Sequence, residues 1–179
     1  GDTIYDLRGY NNGTKTGPNN ATYTSDAVRG THALQFGANN DECVLINSST
    51  NPIFYRSENY TVTTWFKMTG APGNNRQILT ESGYKASGNL QNSYMYLGVD
   101  AASFLQVRTQ FQGGNDGFRI VASAPNTLAN DTWYHAAVVS RRNASNSSVV
   151  TLYVNGEKWG ENTTAIPPVS EDDYQAGIG

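Results

Sequence analysis

The stretch TWYHAAVVSRRNASNSSVVTLYVNGEKWG, residues 132–160, decides the fold. It holds two runs in which side chains alternate with a period of two, the mark of a strand that buries one face. In the second run Val150, Leu152 and Val154 fall on one side. Asn155-Gly156 ends that run. Both residue types tolerate the positive φ of a type I′ turn, so VVTLYV is expected to fold back on EKWG as a hairpin. RRNASNSS, between the runs, reads as a polar turn. His135 alternates with Trp133 and Ala137 in the first run. That position makes it a scaffold residue, packed beside Trp133 and bonded to backbone, rather than a catalytic base.

The same alternation recurs outward from this stretch. Strands are expected near THALQF, ECVLI, YTVTTWFKM, RQILTE, SYMYLGVD, SFLQVRTQF and GFRIVAS. Gly, Pro and Asn clusters such as TGAPGNN, KASGNLQN, QGGNDG and SAPNTLAND separate them. In YTVTTWFKM, Tyr60, Val62, Phe66 and Met68 share one side, while Thr61, Thr63, Trp65 and Lys67 share the other. Leu105, Val107 and Phe111 oppose Gln106, Arg108 and Gln110 in the same way. Many short strands with one apolar face predict an all-β antiparallel two-sheet sandwich or jelly roll. At 179 residues, the whole chain is expected to form one domain around one core.

Composition narrows the function. Charged residues make up 15% of the chain and the net charge is −3. No basic field favours nucleic acid, and Arg141-Arg142 reads as a solvated turn. The lone Cys43 has no partner for an internal disulfide and reads as a small buried hydrophobe. No window is apolar enough for a membrane-spanning helix, and residues 1–179 contain no signal peptide, any signal being expected to have been removed or omitted ahead of Gly1. Eight Asn-x-Ser/Thr acceptor sites stand at Asn12, Asn20, Asn47, Asn59, Asn130, Asn143, Asn146 and Asn162. An Asn- and Thr-rich surface generates some of these by composition. Their number nevertheless predicts an extracellular or cell-surface chain carrying N-linked glycans on exposed turns.

Candidate chemistry is sparse. Nucleophilic catalysis needs a Ser or Cys, a His and an orienting acid, and the sequence has no Gly-x-Ser-x-Gly elbow. Beyond His135 there is only His32. No catalytic residue is assigned. Zinc would need clustered Cys and His. Calcium needs only oxygens: Asp6 with Asn11 and Asn12 could supply them, as could Asp41 and Glu42, with plain surface turns as the alternative. The richest surface is SYMYLGVD beside SFLQVRTQF. If the side bearing Tyr94 and Tyr96 coincides with the side bearing Gln106, Arg108 and Gln110, they make a polar-aromatic platform. Aromatic faces stack on sugars, while Arg and Gln bond hydroxyls or carboxylates. The alternative is an ordinary sheet face with cross-strand pairs.

The order of motifs resembles the laminin-G-like, concanavalin-A-like jelly-roll family. The matching residues are Gly30, Ala33, Leu34 and Phe36; Trp65 and Phe66; Trp133, His135 and Ala137; and Leu152 through Gly156. The opening YDLRGYNNGT also resembles the family's Asp-x-Ser-Gly-Asn-x-Asn-Gly start, with Arg8 in place of Ser. The resemblance implies two curved antiparallel sheets and, in many members, bound calcium. It also implies a further strand with an Asp-Glu pair beyond Gly179, which is expected to be missing here, truncated, or supplied by another chain. Glycosidases of this fold carry Glu-x-Asp-x-Glu on one strand. Here Glu81, Asp100, Asp116 and Glu157 are isolated, and Glu171, Asp172 and Asp173 are consecutive.

These observations together predict an extracellular, glycosylated structural or adhesion module, a subunit of a filament or surface assembly. Its partners would be other copies of itself or extracellular proteins and glycans. A lectin-like carbohydrate-binding module is the alternative, and a glycosidase comes third.

Overall fold

The computed structural model describes residues 2–17, 21–37, 42–47, 59–70, 73–74, 76–84, 90–109, 119–145, 147–165 and 173–179. Among them every regular element is a strand. In chain order these are β1 (Thr3–Ile4), β2 (Gly13–Thr16), β3 (Thr22–Thr24), β4 (Ala33–Gln35), β5 (Cys43–Asn47), β6 (Tyr60–Lys67) and β7 (Arg76–Tyr84). They continue as β8 (Leu90–Val99), β9 (Phe104–Thr109), β10 (Arg119–Thr127), β11 (Trp133–Arg142), β12 (Ser147–Val154), β13 (Glu157–Ala165) and β14 (Asp173–Ile178). One sheet runs β1-β2-β5-β14-β7-β8-β9-β10, a second β13-β12-β11-β6, and β3 pairs with β4 as a separate hairpin. All pairings are antiparallel. The fold is the antiparallel jelly-roll sandwich that the alternation predicts.

The core lies between the two larger sheets. Met95, Leu97 and Val99 of β8 and Leu105 and Val107 of β9 meet Phe66 of β6, Ala136 and Val138 of β11, and Val150, Leu152 and Val154 of β12. Leu97, Leu105 and Leu152 are fully buried, each contributing about 1.5–3 kcal/mol by leaving water. Strand period two then sends Tyr96, Gly98, Gln106 and Arg108 to the outer face of the eight-stranded sheet. It sends Trp65, Lys67, Trp133 and His135 to the outer face of the four-stranded one.

The Asn155-Gly156 turn forms as predicted, with φ of 51° and 86°, joining Val154 to its partner Glu157. Gly160 brings β13 against β10: a Cβ there would sit 2.7 Å from the Ser123 carbonyl oxygen. SAPNTLAND is not wholly a breaker. β10 runs on through Pro125, which an edge strand tolerates because its missing N–H breaks no ladder. The register shifts there, between Ser123 and Thr127.

Two further expectations change. Cys43 is half-buried rather than in the core, its Sγ 3.0 Å from Thr16 Oγ1, and Val44 and Ile46 take the buried positions of β5. The last described strand, β14, is no open edge: it sits between β5 and β7 and pairs with both. Among the described residues the edge strands are β1 and β10 in the larger sheet and β13 and β6 in the smaller.

Candidate functional site

β8 and β9 lie side by side with Tyr96 opposite Arg108 and Gly98 opposite Gln106. The two polar sides therefore coincide. The Arg108 guanidinium carbon stands 5.3 Å from the centroid of the Tyr96 ring, within cation–π range. Arg108 Nε donates to Gln106 Oε1 at 2.7 Å, and Gln106 Nε2 donates to Asp100 Oδ2 at 2.6 Å. The other Asp100 oxygen accepts from the backbone N–H groups of Ala102 and Phe104, each at 2.9 Å. The β8–β9 turn is thus tied through one carboxylate to the guanidinium.

The platform differs from the expected one in its depth. Tyr96 is only 4% exposed and Gln106 5%, while Arg108 is half-buried. Tyr96 can lie down because its neighbour is Gly98: a Cβ there would meet the ring and hydroxyl at 2.5 Å and the Arg76 carbonyl oxygen at 2.4 Å. The Tyr96 hydroxyl donates to that carbonyl at 3.3 Å. Burial pushes the phenol pKa up, against the pull of Arg108. Tyr96 is therefore a support beneath Arg108 and not an open stacking face. Tyr94 has its place in β8 but its side chain is outside the description, and Gln110 lies outside the described residues. Asp100, isolated from other acids in the sequence, is a member of this network. Its spacing to Phe104 marks an Asp-led turn, but no pattern in the sequence links it to Gln106.

His135 also sits differently. Its neighbour is Trp65, directly opposite on β6, with ring centroids 5.0 Å apart and planes inclined at 50°. Residues facing each other across an antiparallel pair are closer than residues two apart on one strand, so Trp65 wins over Trp133. Asn155 Oδ1 accepts from the His135 backbone N–H at 2.9 Å, and Asn155 N donates to the His135 carbonyl at 2.8 Å. Trp133 instead donates its indole N–H to Asp26 Oδ1 at 3.1 Å, and Asp26 also pairs with Lys67. The hydrogen bonds from Lys67 first, and Trp133 second, hold the Asp26 carboxyl below its ordinary pKa. The β3–β4 loop is thereby fastened over the outer face of the smaller sheet.

The calcium candidates stand apart. Asp6 Oδ2 accepts from the N–H groups of Tyr10 at 3.1 Å and Asn11 at 3.3 Å, while Asn12 Oδ1 accepts from Asp6 N at 2.9 Å. Backbone hydrogen bonds, that from Arg8 foremost, lower the Asp6 pKa. Glu42 is buried and accepts from Gly37 N. Asp41 lies outside the described residues. Among those described, no three His, Cys, Asp or Glu side chains gather as a metal site.

Of the glycan acceptors, Asn12, Asn59, Asn130 and Asn162 are exposed and Asn143 is half-buried in the β11–β12 turn. Asn47 lies in β5 opposite Gln175 of β14, and Asn20 and Asn146 lie outside the described residues. No helix among the described residues is long and apolar enough to cross a membrane.

A laminin-G-type family, described as the Concanavalin A-like lectin/glucanases superfamily, matches residues 44–179. No curated protein matches the chain in sequence. Among solved structures, an endo-β-1,4-glucuronan lyase from the fungus Trichoderma reesei superposes with a TM-score of 0.62 at 16% identity, over 89% of this chain and 74% of the lyase. A carbohydrate esterase from the Shiga toxin-encoding bacteriophage phi24B gives 0.56 at 18% identity, over 92% of this chain and 81% of the esterase. At these identities the likeness is one of fold.

Proposed function

This chain belongs to the Concanavalin A-like lectin/glucanases superfamily, and from that membership we propose that it works as an extracellular carbohydrate-binding module. One observation carries the proposal. A guanidinium on the outer face of the larger sheet is held in place by Tyr96 beneath it and by the Gln106–Asp100 chain beside it. Sugar hydroxyls and carboxylates are acceptors that a guanidinium bonds well, and a side chain already fixed loses less entropy on binding. Binding rather than turnover is our reading of the acid in this network. Both oxygens of Asp100 are engaged, one by the turn and one by Gln106. The experiment is a glycan array. Specific binding that disappears in Arg108→Ala supports the proposal, and binding that survives unchanged removes Arg108 from it.

The exposed acceptors Asn12, Asn59, Asn130 and Asn162 support the extracellular part of the proposal. Protein from a secretory host is expected to lose mass on glycosidase treatment, and an unchanged mass would count against it. A second reading, the self-assembling adhesion module, is favoured by β6, an eight-residue strand that lies at a sheet edge among the described residues. A strand from another copy would add to such an edge and build head-to-tail polymers. Light scattering that stays monomeric across a wide concentration range would end that reading.

A further inference from the structure

We infer that the outer face of the four-stranded sheet carries a second saccharide site, one that takes an acidic pyranose. An open depression there is lined by Arg29, Trp65, His135 and Asn155. Trp65 is 39% exposed, in a molecule that keeps Trp133 and Trp159 more covered. His135 and the strand pairing hold its indole in place. A rigid, exposed indole offers the flat apolar surface on which the C–H face of a sugar ring packs.

The polar groups around it set the ligand's charge. Arg29 is exposed, and among the described residues it makes no hydrogen bond or ion pair. The Trp65 indole N–H likewise has no acceptor there. Asn155 uses its oxygen on His135 N, which leaves its amide N–H₂ to donate. Three of the four lining residues thus present donors, and one of them is a cation. The nearest acid of the same loop, Asp26, is already committed to Lys67 and Trp133. A ligand that fits supplies acceptors and a negative charge: a uronic-acid-type sugar with its ring on Trp65 and its carboxylate toward Arg29.

The site is also largely formed in advance. Asp26 fastens the loop that carries Arg29, and the type I′ turn fixes Asn155 at φ 51°. Such convergence of an aromatic face with a few placed polar groups is what small-ligand sites require. It lies on the opposite sheet from Arg108, so it stands or falls separately from the function proposed above. With both sites occupied, one copy would bridge two glycan strands.

The test follows the three Trp indole N–H signals by NMR while tetragalacturonate, and in parallel the neutral cellotetraose, is added. With the uronate the Trp65 signal is expected to shift, and affinity to fall about tenfold or more in Trp65→Ala and Arg29→Ala. Arg29→Ala alters only an exposed loop residue, so it keeps the test sharp if Trp65→Ala folds poorly. The Trp65 shift is expected to persist in Arg108→Ala. If the uronate leaves the Trp65 signal unmoved, the inference is wrong. It is equally wrong if Arg29→Ala binds the uronate like the parent, or if cellotetraose binds as tightly. Loss of binding in Arg108→Ala alone would keep the earlier proposal and overturn this one.

Discussion

Gly98 determines what Tyr96 can be. With no side chain at 98, the phenol lies flat and its hydroxyl reaches the Arg76 carbonyl. Gly98→Ala would drive a methyl to 2.4 Å from that carbonyl oxygen, so it is expected to cost about 1–3 kcal/mol in urea unfolding. Unchanged stability would mean that the ring is not held there. Asp100→Ala is expected to cost a similar amount, about 1–3 kcal/mol, because it strips Gln106 and two backbone N–H groups of their acceptor. The same variant should loosen the Arg108 side chain, seen as broadened or shifted guanidinium NMR signals. How far this site was legible is clear from its members. Strand parity placed Tyr96, Gln106 and Arg108 on common sides, and the register then matched them. Burial was not legible, because it depends on Gly98 and on which residue stands opposite. The pairing of His135 with Trp65 was hidden for the same reason: register is a property of two distant segments, not of either one.

Elements were legible where apolar and polar residues alternate. The strands around the core, β6, β9, β11 and β12, carry that signal and form as read. DYQAGI alternates only over six residues, Tyr174, Ala176 and Ile178 against Asp173, Gln175 and Gly177, and β14 forms there with hydrogen bonds from β5 and β7 on both sides. The short strands β1, β2 and β3 are likewise defined by their partners. The β12–β13 hairpin was fully written in Asn155-Gly156. Gly156→Ala forces a side chain into φ 86° and is expected to cost about 1–2 kcal/mol, measured by thermal unfolding. The β3–β4 loop depends on charge instead. Asp26 is stabilised in its ionised form, so its contribution is fully present above the ordinary value of 3.8 and is lost as pH falls through the lowered one. An acid titration should show the Trp133 indole N–H signal moving in that range, below 3.8. Asp26→Asn should abolish the movement; if the same transition persists in that variant, another group fastens the loop.

Among the described residues two sheets pack around a core, with the β3–β4 hairpin as a third, small sheet, and the outer faces of the two larger sheets differ in chemistry. One presents a fastened guanidinium and the other an exposed indole beside a cation. Close approach of β13 to β10 at Gly160 and Ser123 locks the layers at one side. Gly160→Val would place its Cβ 2.7 Å from the Ser123 carbonyl oxygen and is expected to cost about 1–3 kcal/mol in denaturant unfolding. Both faces offer donors to oxygen-rich ligands, which is the chemistry of glycan recognition. Affinity electrophoresis tests that most directly: the folded chain is run through native gels containing neutral and acidic polysaccharides, beside Arg108→Ala. The account predicts that at least one polysaccharide retards the parent and that Arg108→Ala relieves the retardation. Equal mobility of the parent in every gel, or Arg108→Ala retarded as strongly as the parent, would contradict it.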